Sequence, residues 1–388
     1  MDFSLTEEQR EIQDAVGRVM ARFDEDYWLT RDREGGFPVA FADEMARAGW
    51  LGIAMPEAYG GAGLGITEAA LLMQTVAGGP GAMAAASSIH LNIFGLNPVA
   101  VFGTEEQRAR MLPPVIRGEA RACFGVTEPD SGLDTGSLRT RAVRKGDVYE
   151  VTGRKVWTST AQVADHFLLI ARTTPREDVK KSTDGLSLFY TRMDPAAVTV
   201  REIDKMGRKA VDSNEVFIDG LQVPVEDRIG EEGQGFRYLL HGLNPERILV
   251  AAEAIGIGRY ALQRAAKYAG ERVVFGRPIG QNQAIQHPLA ESWAELEAAN
   301  LLMLKAAALY DAGEPCGAEA NAAKYLAAEV AFRACERAIL THGGYGYAKE
   351  FVVERLLREV TICRLAPVSQ QLILCYIAER VLGLPKSY

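Results

Sequence analysis

Phe124-Gly125-Val126-Thr127-Glu128-Pro129-Asp130-Ser131-Gly132-Leu133-Asp134 stands where the texture of the chain changes. From Thr6 to about Ala120 apolar residues recur at helical spacing, and from about Cys123 to Ile229 short β-rich runs follow one another. The segment mixes small residues, hydroxyls and a proline-anchored turn. Such a loop exposes backbone N–H groups and hydroxyls toward a ligand. It also reads as a plain helix-to-strand connection, with Asp130-Ser131-Gly132 as the turn. Taken alone, it favours the plain reading.

Upstream, Leu5-Thr6-Glu7-Glu8-Gln9 reads as a capped helix start, with Ile12, Val16, Met20 and Phe23 following at helix spacing. Thr104 is a second N-cap, before Glu105-Glu106-Gln107. Between them, Ala69–Thr104 carries no Asp, Glu, Lys or Arg. A spanning helix wants ~20 predominantly apolar residues in a row. Gly78, Gly79, Pro80, Gly81, Gly95 and Pro98 interrupt this one, so the stretch predicts two buried helices with a turn near Gly79-Pro80.

Downstream, Val148–Val156 (around a Gly153 turn), His166–Ala171, Leu186–Thr191, Val198–Ile203 and Glu215–Ile218 read as strands. No helix-length periodic segment separates them, which predicts an antiparallel β domain. From Gly233 the helical pattern returns. Asn244-Pro245 reads as an N-cap followed by proline at the first helical position, and Ala318–Leu340 as a long packed helix. The expected class is α+β: helices over residues 1–121, an antiparallel β domain over 122–232, and helices over 233–388.

The 388 residues are 48% hydrophobic and 24% charged, with a formal net charge of −8. That is an ordinary globular composition, and a poor start for a nucleic-acid binder. Five widely spaced cysteines without a C-x-x-C argue against a disulfide framework or a zinc site. The opening MDFSLTEEQRE lacks the features of a secretory signal or transit peptide, so a cytoplasmic protein without membrane attachment is expected. Gly256-Ile-Gly258-Arg-Tyr-Ala261 fits G-x-G-x-x-A but lies inside a helical pattern, which points to close helix packing. The five histidines are scattered, so no metal site is expected.

Three further segments stand out. Lys155-Val-Trp157-Thr-Ser159-Thr160 puts a row of hydroxyls after a strand tryptophan, suiting one wall of a planar polar ligand. Glu271-Arg272-Val-Val-Phe275-Gly276-Arg277 ends a helix with groups suited to phosphates and a ring. His342-Gly343-Gly344-Tyr345-Gly346-Tyr347 permits close approach of backbone to a ligand. Each has a bland counterpart as core packing, a charged helix end or an interhelical turn.

Together and in this order, these segments resemble the acyl-CoA dehydrogenase family over essentially the whole chain, from Phe3-Ser-Leu-Thr-Glu-Glu-Gln9 onward. The resemblance implies an N-terminal α domain, a central β domain and a C-terminal four-helix bundle, assembled as a homotetramer or dimer. It implies FAD, lined by Phe124, Val126 and Thr127, with Trp157 and Ser159 over the isoalloxazine. Arg272, Phe275 and Gln283 match the segment that reaches a neighbouring subunit's FAD. Gly343 and Gly344 match the turn that approaches the diphosphate. Gly132, Leu133, Leu243 and Arg247 fall at substrate-contacting positions.

Three departures matter. Leu133 replaces a usual Ser or Thr, and Leu340 a usual polar cofactor contact. Pro367 stands where many members carry a catalytic Glu. A minority of the family places that Glu in a Leu-x-x-Glu-Arg pattern, which is Leu243-Asn-Pro-Glu246-Arg247 here. The resemblance thus implies α,β-dehydrogenation of an acyl-CoA, with Glu246 taking the α proton, FAD N5 the β hydride, and an electron-transfer flavoprotein the electrons. Proline has no N–H, so an amide donor to the thioester carbonyl would come from Val368 or a neighbour. Two readings remain open on the same fold, a nitroalkane-type flavin oxidase and a non-catalytic or DNA-binding relative. The −8 charge opposes the second.

Overall fold

Thr6 and Thr104 each close a capping box, with Gln9 and Gln107. They start the first and last of the helices that precede the sheet. These are α1 (Glu7–Met20), α2 (Glu25–Glu34), α3 (Val39–Arg47), α4 (Ile66–Ala77), α5 (Ala82–Phe94), α6 (Asn97–Phe102) and α7 (Glu105–Ile116). The structure is a computed structural model and describes residues 4–387. Phe3, in the opening stretch quoted above, lies outside the described residues. The charge-free run, expected to give two helices, holds most of α4, all of α5 and the short α6, with the first turn at Gly78–Gly81. Ala82–Phe102 is long and apolar enough to cross a membrane, yet most of it is buried in the core.

The strands are β1 (Ala122–Gly125), β2 (Arg141–Lys145), β3 (Val148–Ser159), β4 (His166–Arg172), β5 (Leu186–Arg192), β6 (Val198–Glu202), β7 (Ser213–Pro224) and β8 (Arg228–Ile229). They form one sheet in the order β6-β7-β3-β2-β4-β5-β8, with β1 on β4. The sheet is mixed rather than wholly antiparallel. β1 lies parallel to β4, and β2 meets β4 in parallel at Arg141 and Arg172. The β2–β3 hairpin intervenes in sequence, so β1 can run alongside β4 in the same direction.

Gly153 is not a turn. It lies within β3 at a register shift against β7, where a Cβ would stand 2.4 Å from Thr140 Oγ1. The bulge absorbs the irregularity and lets the strand continue.

After the sheet come α8 (Gly235–His241) and α9 (Leu243–Glu271), then the hairpin β9 (Val273–Val274) and β10 (Arg277–Pro278). They are followed by α10 (Gln283–Asp311), α11 (Gly317–His342), α12 (Val353–Val360), α13 (Ile362–Leu365) and α14 (Gln370–Arg380). Asn244 is not an N-cap. Gly242, at φ −77° and ψ −11°, carries the helical conformation from α8 into α9, so Asn244 and Pro245 sit in the first turn. There Asn244 Oδ1 accepts from Arg247 Nη1 at 3.0 Å.

One hydrophobic cluster takes in residues of α1, α4, α5, α9, α10, α11 and α12, so the helices before and after the sheet share a core. Gly256 and Gly258 make this possible on α9. A Cβ at Gly256 would stand 2.3 Å from the Gln74 carbonyl, and one at Gly258 3.1 Å from Ala331 Cα. The G-x-G-x-x-A match is therefore a helix-packing feature.

Candidate active site

The loop after β1 is pinned from beneath by a buried ion pair. Lys155 Nζ, on β3, donates to Glu128 Oε1 at 2.9 Å and to the Val126 carbonyl at 3.1 Å. Glu128 also accepts from the Arg139 and Thr140 amides at 2.7 and 2.9 Å. Burial works to raise the Glu128 pKa. The Lys155 charge and these donors outweigh it and hold the carboxyl below the usual carboxylate range. The Val156 amide donates to the Thr127 carbonyl at 2.9 Å, tying the loop to the edge of Trp157.

Phe124, Val126 and Thr127 are consequently held half-buried, while Gly132 and Leu133 stand exposed further along the loop. A second register shift in β3, between Lys155 and Thr158, gives Trp157 a left-handed φ of 61° and leaves it 58% exposed. Ser159 is half-buried and returns to the ladder opposite Ser213. Ser131 Oγ and Thr158 Oγ1 are buried with no partner among the described residues.

Glu246 lies in the first turn of α9, at the edge of a small cleft. Phe94, Pro98, Phe124, Leu239 and Leu243 supply its apolar walls. Phe94 and Phe124 meet edge-on, with centroids 6.2 Å apart. Desolvation lifts the Glu246 pKa to about 7, against the charges of His90, Arg247 and Lys324. Arg247 Nε is buried without a partner, and burial lowers the pKa of its guanidinium. Lys324, buried on α11, donates to the Val368 carbonyl at 2.8 Å, which ties α11 to the Pro367 turn. Burial lowers the Lys324 pKa to about 8. Nearby, His90 Nδ1 and Glu253 Oε1 are 2.5 Å apart.

Arg272 and the Gly343–Tyr347 turn form a second group. The Arg272 guanidinium stands 5.7 Å from the centre of the Tyr345 ring. Gly343, at φ 59°, ends α11, and Gly344 is exposed beside it. Phe275 and Gly276, with φ of 54° and 74°, make the tip of the β9–β10 hairpin, where the Phe275 ring is 100% exposed. Gln283 is exposed at the start of α10.

The structure thus brings Phe124, Leu243 and Glu246 to one cleft, and Thr127 to the edge of Trp157. Arg272 is gathered with the glycine turn on the helical part. Sequence reasoning passed over Glu128, Lys155, His90, Glu253 and Lys324. The one signal for His90 was its place as a lone titratable side chain in a charge-free run. No cluster of metal-ligating side chains occurs among the described residues.

Models of the acyl-CoA dehydrogenase N-terminal, middle and C-terminal domains match residues 6–119, 123–221 and 233–382. The chain is 35% identical to a Mycobacterium tuberculosis protein named acyl-CoA dehydrogenase FadE12, over 100% of this chain and 99% of that protein. Butyryl-CoA dehydrogenase from Megasphaera elsdenii has the same fold, with a TM-score of 0.94 and 30% identity over 98% of this chain and 100% of its own. A solved FAD complex of a protein named PigA matches with a TM-score of 0.93 at 25% identity, over 99% of this chain and 100% of its own. On the family models, the full-length relative and the shared fold, the chain belongs to the acyl-CoA dehydrogenase family of oxidoreductases.

Proposed function

We propose that the protein oxidises an acyl-CoA thioester to the trans-2-enoyl thioester, with Glu246 as the base that takes the α proton. The observation that carries this reading is the Glu246 carboxyl on an apolar cleft, with its pKa lifted to about 7. The α C–H is a very weak acid, so its base must work close by and away from water. A carboxylate lifted toward neutrality is a stronger base than an ordinary one, and about half of it is still ionised at neutral pH. Arg247 and Lys324 supply positive charge beside the carbanion-like charge that develops as the proton leaves. The Val368 amide donates to no group among the described residues, while Lys324 fixes the Val368 carbonyl. That leaves the amide available to the thioester oxygen.

FAD is the cofactor of this family, and the residues present fit it. The buried hydroxyls of Ser131, on the loop after β1, and of Thr158, next to a tryptophan turned outward by a bulge, have no partner among the described residues. Ser131 and Thr158 would donate to polar parts of the cofactor, with Trp157 against its ring and Phe124, Val126, Thr127 and Ser159 around it. When bound, FAD supplies the acceptor for the β hydride. Leu133 and Leu340 offer no hydroxyl or carboxamide, so two usual polar contacts are missing. Arg272, Phe275, Gln283, Gly343 and Gly344 complete the site of a neighbouring copy in a homo-oligomer. An electron-transfer flavoprotein accepts the electrons, and the enzyme works in the cytoplasm.

The test is anaerobic bleaching of the bound flavin by a panel of acyl-CoAs, wild type beside Glu246→Gln. Loss of the base should slow bleaching by about 10² to 10⁴-fold. A variant that bleaches at the wild-type rate removes Glu246 from this role.

A further inference from the structure

The cleft beside Glu246 is closed by packed side chains on both sides of the carboxyl. Among the described residues, its lining on α8 and α9 runs from Leu239 to Glu246, about 10 Å of helix, and stops there. Val250 and Glu253 lie one and two turns further along the same face of α9, and both are buried. Toward α8 the cleft meets Leu239, which belongs to the hydrophobic cluster of Leu96, Val99 and Tyr238.

A row of three rings closes the passage between α5 and α9. His90 and Phe94, one turn apart on α5, meet edge-on with centroids 4.8 Å apart. Phe94 meets Phe124 of β1 edge-on at 6.2 Å. Edge-on rings at such spacings attract, so each holds the next in place. Phe94 is buried, and Phe124 is braced by the end of α5, where a Cβ at Gly95 would stand 3.0 Å from Phe124 Cε1. Phe94 and Phe124 are walls of the cleft, and His90 stands behind them.

Behind the rings lies a buried hydrogen-bonded pair. His90 Nδ1 stands 2.5 Å from Glu253 Oε1, and the two side chains are only 12% and 3% exposed. An acyl chain longer than the cleft could advance between α5 and α9 only by displacing Phe94. The displaced ring would have no slack to enter, because protein interiors are close-packed. The advancing chain would also press on His90 and Glu253, and parting a buried pair leaves polar groups unmet.

We propose that Phe94, braced by His90 and Phe124, is the end wall of the acyl site, so that the preferred substrates are short-chain acyl-CoA thioesters. This rests on the dehydrogenase reading above and names its substrate class. In an open apolar pocket each further methylene is buried with a gain of about fourfold in affinity. Against a closed wall the same methylene forces side chains out of place, and the gain becomes a loss. The chain-length profile therefore reads the position of the wall directly.

The holoenzyme is assayed with butyryl-, octanoyl- and dodecanoyl-CoA, read as the apparent second-order rate constant for anaerobic flavin bleaching. Wild type should prefer butyryl-CoA to octanoyl-CoA by about tenfold or more, the effect of overfilling a packed site. Phe94→Ala should raise the octanoyl-to-butyryl ratio by about tenfold to a hundredfold, as further methylenes become buried. Phe94→Leu keeps more of the wall and should raise it less. A wild type that prefers octanoyl- or dodecanoyl-CoA, or a ratio unchanged in both variants, overturns the proposal.

Binding of the butyl-CoA and octyl-CoA thioethers, followed by perturbation of the flavin spectrum, needs no turnover. Octyl-CoA should bind wild type no tighter than butyl-CoA, and Phe94→Ala should gain affinity for octyl-CoA alone. Tighter binding of octyl-CoA to wild type overturns the end wall. An equal change for both thioethers in Phe94→Ala reveals a purely structural residue and overturns it too. If no acyl-CoA bleaches the flavin, the dehydrogenase reading fails, while the thioether titration still decides the role of Phe94.

Discussion

Glu246 is poised between opposed influences. Removal from water raises its pKa, and His90, Arg247 and Lys324 draw it back, leaving it at about 7. Only the ionised carboxylate can take a proton, so the fraction of competent enzyme grows as pH rises through about 7. The bleaching rate with a fixed acyl-CoA should therefore climb between about pH 5.5 and about 8.5 and then level off. Replacing His90 with Gln removes a cation from beside the carboxyl, so the midpoint should move to higher pH. A flat profile, or a midpoint untouched by His90→Gln, contradicts this account. Glu246 itself was legible in the sequence because Leu243-x-x-Glu246-Arg247 is local and stands at a family spacing from Arg272. His90 and Glu253 were not, because 163 residues separate the two partners and neither carries a local pattern. A buried ion pair is a property of packing, and no single stretch of sequence encodes it.

At the scale of elements, capping and apolar spacing were readable wherever the backbone obeys local chemistry. Thr6 and Thr104 cap as their sequences dictate. Gly153 and Asn244 misled because tertiary context overrode them. A bulge let β3 run through the glycine, and α8 delivered the chain to Asn244 already helical. Gly256 shows the reverse, a glycine whose purpose is packing. Gly256→Ala would place a methyl 2.3 Å from the Gln74 carbonyl and 3.0 Å from the Gly78 amide, so α4 and α9 must separate. Overpacking of this kind costs roughly 1–3 kcal/mol, more than the gain of ~1 kcal/mol from exchanging a helical glycine for alanine. Gly270 is on the same helix with nothing within 4 Å of its Cβ position. Thermal melting should therefore place Gly256→Ala below wild type, and Gly270→Ala at or above it. Gly256→Ala melting with Gly270→Ala would show that α4 yields freely.

At the scale of the molecule, the shared core binds the two helical parts into one body, while a different set of apolar side chains stays outside it. Phe275 is 100% exposed, Tyr347 89% and Leu340 70%. Phe275 tops a hairpin that continues α9, and Leu340 and Tyr347 lie at and just past the end of α11. Arg272 against Tyr345 joins the hairpin to the turn that carries Tyr347. Exposed apolar groups that gather on one region mark an interaction surface. A bare phenylalanine at a hairpin tip is otherwise an expensive choice for a position that tolerates small polar residues. A second copy of the chain is the partner that would cover it, and the hairpin would then help enclose that copy's cofactor. Two consequences are separable. Wild type should sediment as a dimer or tetramer, and Phe275→Asp should shift it toward monomer. The same variant should release FAD more readily on gel filtration, because each site would lose a wall supplied from outside. A wild type that sediments as a monomer refutes the assembly. A dissociated Phe275→Asp protein that retains FAD as wild type does would confine the hairpin to assembly and remove it from the cofactor site.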